Sequence, residues 1–249
     1  MARQRILDTT QCDFIMFLDS DDMLMPRAVQ ILYNNIRLNN YDIIRSSFIR
    51  EESKEPDKLM PQNTPSITWF HGKIYKVAYL KEKNIRFLEG LRIDEDAYFN
   101  VVAWNSTKNR GEITEVTYIW RNNFNSLTRQ ENSADYFKKN YLYYIRSQVE
   151  GMKKIVEISG EVSNTLVAQT LINLYYYYMQ ARFYGLPEDE MIKLLSSFKK
   201  EQWMQVFLSD GRNWIDIVQN LKGGLVIDDS VVFFQEVFSV WATRLLKAN

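Results

Sequence analysis

The sequence predicts an α/β sheet unit followed by an all-α unit, and three observations predict it. Up to about residue 133, short apolar runs alternate with turn chemistry. Beyond that point come long segments with helical spacing and few breakers. Within the first part, an apolar run from Phe14 to Leu18 leads directly into Asp19-Ser20-Asp21-Asp22. A short apolar run bounded by polar residues reads as a strand buried on both faces. In open α/β sheets, ligands bind beyond the carboxyl ends of such strands. The predicted division is residues 1–133 and residues 134–249.

Taken in order, Phe14–Leu18 is the first predicted strand. Pro26–Asn39 is a helix, with Pro26 near the first turn, where its missing N–H costs least. Val29, Ile31, Leu32, Ile36 and Leu38 roughly share one face of it. Tyr41–Phe48 reads as the next strand. Residues 51–66 are polar and carry Pro56, Pro61 and Pro65, which predicts a functional or mobile loop. A short helix is expected over Ile74–Lys83 and another over Asp94–Trp104. Glu115–Trp120 alternates and is rich in β-branched residues, so it predicts a strand. Helices follow at about 135–158, 162–184, 188–198, 200–208, 212–222 and 229–247, punctuated by Gly160, Gly185, Pro187, Gly211 and the pair Gly223-Gly224. The run Tyr175–Tyr178 reads as core with snorkelling phenols rather than a ligand platform.

Bulk properties exclude several classes. Lys plus Arg and Asp plus Glu both number 31, so the net charge is zero and no basic surplus exists to bind nucleic acid generally. Cys12 is the only cysteine, which rules out an intrachain disulfide or a thiolate zinc cage. The chain lacks an uncharged stretch approaching the roughly 18–20 residues of a membrane span. A cytoplasmic location without a transmembrane segment is the expectation.

The acidic cluster has two readings at this level. Asp19 and Asp21, one residue apart, can place hard oxygen ligands on one Mn²⁺ or Mg²⁺, which in turn can hold a diphosphate. Alternatively the carboxylates form an acidic turn leading into the next helix. Three further segments bear on the choice. Ala2-Arg3-Gln4 lies upstream. His71-Gly72-Lys73-Ile74-Tyr75-Lys76, Arg86-Phe87 and Asp94-Glu95-Asp96 follow downstream, and then come Tyr118-Ile119-Trp120-Arg121 and Ser126-Leu127-Thr128.

In this order, residues 2–129 resemble the second half of a family 2 glycosyltransferase domain. The matching places are filled by Arg3, Asp19, Ser20, Asp21, Asp22, Lys73, Tyr75, Lys76, Arg86, Phe87, Glu95, Asp96, Arg121, Ser126 and Thr128. The resemblance implies a partial GT-A (Rossmann-like) sheet and a nucleotide-sugar donor whose sugar passes, with inversion, to a glycan or other hydroxyl acceptor. It makes Asp96 the expected base, with Glu95 second and Asp94 third. Asp19 and Asp21 become the expected metal ligands, and Arg3, Asp19, Asp21 and Asp22 the donor-diphosphate contacts. Lys73, Arg121 and His71 are the expected acceptor or phosphate contacts. An inverting displacement needs a general base and charge stabilisation at the departing diphosphate, and these residue types supply both.

The match also has gaps. Gln4 replaces the family's Asn, Cys12 stands where Gly is usual, and the nucleotide-binding βα units that normally precede the Ala-Arg motif do not match anything here. The expectation is therefore an N-terminally truncated transferase whose missing lobe comes from a second chain, or a homo-oligomer. The alternative is a non-catalytic remnant serving as an interaction or oligomerisation module. A phosphatase of the haloacid-dehalogenase type also places two aspartates after an apolar strand. It calls for Thr or Val where Met23 stands.

Overall fold

The computed structural model describes residues 2–51, 59–62, 66–121 and 133–212. The chain forms two compact units, Met1–Ser133 and Ala134–Asn249. The expected helices at 212–222 and 229–247, and the motif residues Ser126 and Thr128, lie outside the described residues, apart from Arg212.

The first unit is built on a six-stranded mixed sheet. Its strands are β1 (Phe14–Ile15), β2 (Met23–Leu24), β3 (Ile43–Glu51), β4 (Leu59–Gln62), β5 (Lys73–Lys76) and β6 (Arg110–Trp120), in the order β1-β5-β3-β6-β2 with β4 on β3. Its helices are α1 (Ala2–Thr9), α2 (Ala28–Leu38), α3 (Val77–Glu82) and α4 (Glu95–Asn105). Strand β3 sits centrally and is buried on both faces, as its continuous apolar start requires. It runs parallel to β6 and antiparallel to β5 and β4, and its register with β6 shifts on either side of Ser47.

Alternation along β3 and β5 divides the core. Ile44 pairs with Ile74 on the face covered by Leu32 and Ile36 of α2. Ile43 pairs with Tyr75 on the other face, where Phe17, Phe70, Phe87 and Phe99 interlock around Tyr75. Phe87 and Phe99 stack with centroids 4.4 Å apart. The aromatic set joins β5, the segment before it and α4 into one block, which is what carries Asp96 to the sheet.

Several expected elements change. Strand β1 ends at Ile15 rather than Leu18, because its only described pairing, with Lys76 and Tyr75 of β5, lasts two residues. Leu18 is consequently half-exposed. The stretch expected as a helix over Ile74–Lys83 begins as β5 and turns helical only at Val77. Lys73, Ile74 and Tyr75 are all buried, so pairing to β3 overrides local preference. Helix α2 begins at Ala28, after Arg27 in a left-handed conformation, and of its expected apolar face Val29 and Leu38 remain exposed. Strand β6 extends back to Arg110, and β2, β4 and α1 were not expected as elements.

The second unit is helical. It contains α5 (Ser133–Ser159), α6 (Asn164–Phe183), α7 (Asp189–Ser196), a 3₁₀ turn at Ser197–Lys200 and α8 (Gln202–Ser209). Ser163 caps α6 by accepting from the Leu166 N–H. Gly160 and Gly185, both at positive φ, end α5 and α6. Ile145, Val149, Val167, Ala168, Leu171 and Leu174 are fully or almost fully buried at its centre. Tyr175 and Tyr178 join that core while Tyr176 is exposed, in keeping with the packing reading of the tyrosine run. No helix among the described residues is long and apolar enough to cross a membrane.

Candidate active site

After β1 the chain turns sharply. The Asp22 N–H donates to the Asp19 carbonyl at 3.1 Å, closing a turn that leaves Ser20 and Asp21 exposed at its corner. Asp19 and Asp22 then take different roles. The Asp19 side chain stays 38% exposed, and one of its oxygens accepts from the Arg3 guanidinium. The Asp22 side chain is only 3% exposed. Its oxygens accept from the Tyr118 hydroxyl at 2.6 Å and the Arg121 N–H at 2.8 Å, which pins the turn to the end of β6. Burial raises the Asp22 pKa despite both donors.

Arg3 reaches across the site. Beyond Asp19 it donates to Glu95 at 2.9 Å, and its guanidinium lies 5.0 Å over the Phe70 ring. One cation thus joins α1, the acidic turn and the first residue of α4. A cleft of about 590 Å³ opens beside it, lined by Arg3, Phe87, Leu91, Arg92 and Glu95 among others. A second cleft, of about 420 Å³, lies at the start of β1 and contains none of the expected site residues.

Asp96 follows Glu95 on the first turn of α4. Burial and the neighbouring Glu95 charge push its pKa up to about 6, against which its hydrogen bond from the Ala97 N–H works. Asp94 precedes the helix at φ 65°, and its side chain accepts no capping hydrogen bond. A carboxylate at a helix N-terminus is ordinarily favoured by the helix dipole. Here the low-dielectric surroundings of Asp96 outweigh that preference.

Gly72 lets the chain place His71 and Lys73 inward on either side of it. It has φ 62°, and a Cβ there would strike the Ser46 hydroxyl. Lys73 is fully buried and donates to the Trp69 carbonyl; burial and the nearby Arg45 charge lower its pKa to about 7. His71 stacks on Tyr118 with centroids 4.7 Å apart, and its Nε2 lies 3.9 Å from Asp22. Burial, with the Lys73 charge, lowers its pKa to about 3, so the imidazole is neutral. Its Nδ1 has no hydrogen-bond partner among the described residues. Arg121 directs its guanidinium to Glu51 at 3.0 Å and to the Met23 sulfur.

Arg3, Asp19, Glu95 and Asp96 are therefore brought together, while Asp22, His71 and Arg121 gather around Tyr118 at the end of β6. Two residues without an expected role support these groups, one each. Tyr118 holds Asp22. Asn100 accepts from the Tyr75 hydroxyl and donates to the carbonyls of Asp96 and Thr68, at 2.8 and 2.9 Å. Its position one helical turn after Asp96 was the available signal for Asn100.

No group of three His, Cys, Asp or Glu side chains converges as a metal cage among the described residues. Instead Asp21 is exposed, and Asp19, one oxygen of which is held by Arg3, is partly exposed. That donor set fits Mg²⁺ or Mn²⁺, which keep waters and combine one or two carboxylates with phosphate oxygens.

Residues 1–95 match the family model described as glycosyl transferase family 2. The chain is similar to the uncharacterized glycosyltransferase EpsJ of Bacillus subtilis (strain 168), at 26% identity over 147 residues. That alignment takes in 51% of this chain and 43% of EpsJ, so the chain spans less than half the length of this curated relative. Among solved structures, residues 1–349 of S. aureus TarS in complex with UDP superpose with a TM-score of 0.59 at 14% identity, covering 97% of this chain and 68% of that one. The same TarS segment with UDP-GlcNAc gives a TM-score of 0.60 at 15% identity, with the same coverage. The first 95 residues of this chain are thus similar to glycosyl transferase family 2, and its fold is of the GT-A type.

Proposed function

We propose that the chain carries out metal-dependent, inverting transfer of a sugar from a nucleotide-sugar donor to an acceptor hydroxyl. The observation that carries this reading is the Arg3 bridge, which joins the acidic turn at Asp19 to Glu95, next to the raised-pKa Asp96. Diphosphate binding and proton removal have to meet at one anomeric carbon, and this bridge sets the two groups at one place.

Asp96 is the general base. A carboxylate whose pKa lies near 6 is mostly ionised at neutral pH yet basic enough to share the acceptor proton in the transition state. Glu95 keeps Arg3 in place and holds the Asp96 pKa up. Asp19 and Asp21 hold Mn²⁺ or Mg²⁺, which supplies Lewis-acid stabilisation of the leaving diphosphate when bound. Asp22 fixes the turn that presents them. Neutral His71 offers hydrogen bonding rather than charge; Lys73, fully buried on the Trp69 carbonyl, supports the site from behind instead of touching acceptor or phosphate, and Arg121 is paired with Glu51.

Isothermal titration of the 249-residue chain with UDP, with and without Mn²⁺, tests the reading. Binding should require the metal, and Asp21→Ala should abolish it. Binding that ignores the metal, or none at all, would point instead to a non-catalytic interaction module.

A further inference from the structure

From an exposed tryptophan, we infer that the indole of Trp69, backed by Trp120, is a stacking platform for the acceptor sugar: a pyranose with one face of C–H bonds only, as in β-galactosides and β-glucosides. The inference rests on the transferase reading and adds the acceptor side of the same site.

Trp69 is 40% exposed although three aromatic rings surround it. Trp120 lies 5.3 Å away, His71 5.4 Å and Phe48 6.0 Å, edge-on. Single exposed apolar residues are ordinary on protein surfaces. Trp69 differs because its backbone is anchored on every side. Its N–H donates to the Ser66 hydroxyl at 3.2 Å, and its carbonyl accepts from buried Lys73. The preceding carbonyl, of Thr68, accepts from Asn100. A large flat side chain held this firmly and left open loses little freedom when a ligand covers it.

Its position relates it to the chemistry. The Asn100 amide nitrogen donates to both Thr68 and Asp96, so one atom ties the residue before Trp69 to the residue bearing the base. On the other side, His71 stacks on Tyr118 and packs at a tilt against Trp120, and Tyr118 holds Asp22. The aromatic wall is thus continuous from the acidic turn to the support of Asp96. Sugars whose ring carries axial hydrogens on one face present a flat apolar surface that matches an indole, while their hydroxyls stay at the edge. The inferred platform holds an acceptor ring at the residue that follows Thr68, which shares Asn100 with Asp96.

Saturation-transfer NMR on the wild-type chain with methyl β-D-galactopyranoside tests this without any nucleotide. Methyl α-D-mannopyranoside, which has an axial oxygen on each face, is the comparator. Transfer should appear on the C–H face of the galactoside and not on the mannoside. Trp69→Ala should weaken binding roughly threefold to tenfold, Trp69→Phe should restore part of it, and Phe183→Ala, an exposed ring in the helical unit, should change nothing. Because Trp69→Ala can disturb its aromatic neighbours, the indole N–H of Trp69 in the ¹⁵N-labelled wild type is followed as well, and it should shift with the galactoside. No transfer in the wild type, undiminished transfer in Trp69→Ala, or an indole that shifts with UDP but not with the galactoside overturns the platform. UDP–Mn²⁺ titration of the same sample separates the two readings, since loss of sugar contact with intact UDP binding removes only the platform.

Discussion

Asp96 occupies a place where a charged carboxylate is costly, and that cost gives it both its proposed role and a measurable signature. In the folded chain its pKa is about 6, against 3.8 when unperturbed. Between those values the folded state binds more protons than the unfolded one, so stability falls as pH rises through the window and stays lower above it. Allowing for partial solvent access, the cost at neutral pH is about 1–2 kcal/mol. Asp96→Asn should recover that amount at about pH 7.5 and nothing at about pH 4, read by urea unfolding. The same variant should lose roughly 10²–10⁴-fold in transfer rate, and the wild-type rate should rise to a plateau through about pH 6. A variant no more stable than wild type at the higher pH would show that Asp96 is not strained. Tyr118 illustrates the opposite case, a residue visible in the sequence motif whose role emerged only from its contact with Asp22.

Among the elements, α4 depends on its neighbours more than on its own sequence. Seven of its eleven residues are buried, and its apolar positions run all round rather than along one stripe. Asn100 is its polar anchor, with bonds to Tyr75 of β5, to Thr68 and back to Asp96. Asn100→Ala would leave the Tyr75 hydroxyl and the Thr68 carbonyl without this partner, and each buried group so stranded costs about 1–3 kcal/mol. The expected loss is about 2–4 kcal/mol in urea midpoint analysis, with unchanged slope. A loss below half a kilocalorie would mean that α4 is held by its aromatic contacts alone. Strand β5 shows the same dependence, since Lys73–Lys76 is extended because β3 and β1 pair with it on either side.

For the whole molecule, two compact units each carry their own core. The helical unit concentrates its burial on α5 and α6, with α7 and α8 packed against them, and Leu171 of α6 is completely enclosed. Leu171→Ala should cost about 2–5 kcal/mol, as truncation of an enclosed leucine does when the cavity cannot collapse. Differential scanning calorimetry should register the loss; an unchanged thermogram would contradict the packing seen at this position.

The sequence by itself determined the α/β-then-α order, the placement of Asp19 and Asp21 just after an apolar run, and the helix that starts at Glu95-Asp96. These are local matters: apolar period, breakers and the chemistry of adjacent side chains. It also carried the resemblance to family 2 glycosyltransferases through an ordered series of short motifs. Tertiary structure decided what each of those residues touches. Only pairing with β3 and β1 turned Lys73–Lys76 into a strand, and only the packing of β6 against the acidic turn took Asp22 out of solvent. The Arg3 bridge spans 92 residues to Glu95, a separation over which no local pattern carries information. Burial acts in the same way. The pKa shifts of Asp96, Lys73 and His71 come from desolvation, which exists only once distant segments have closed around them.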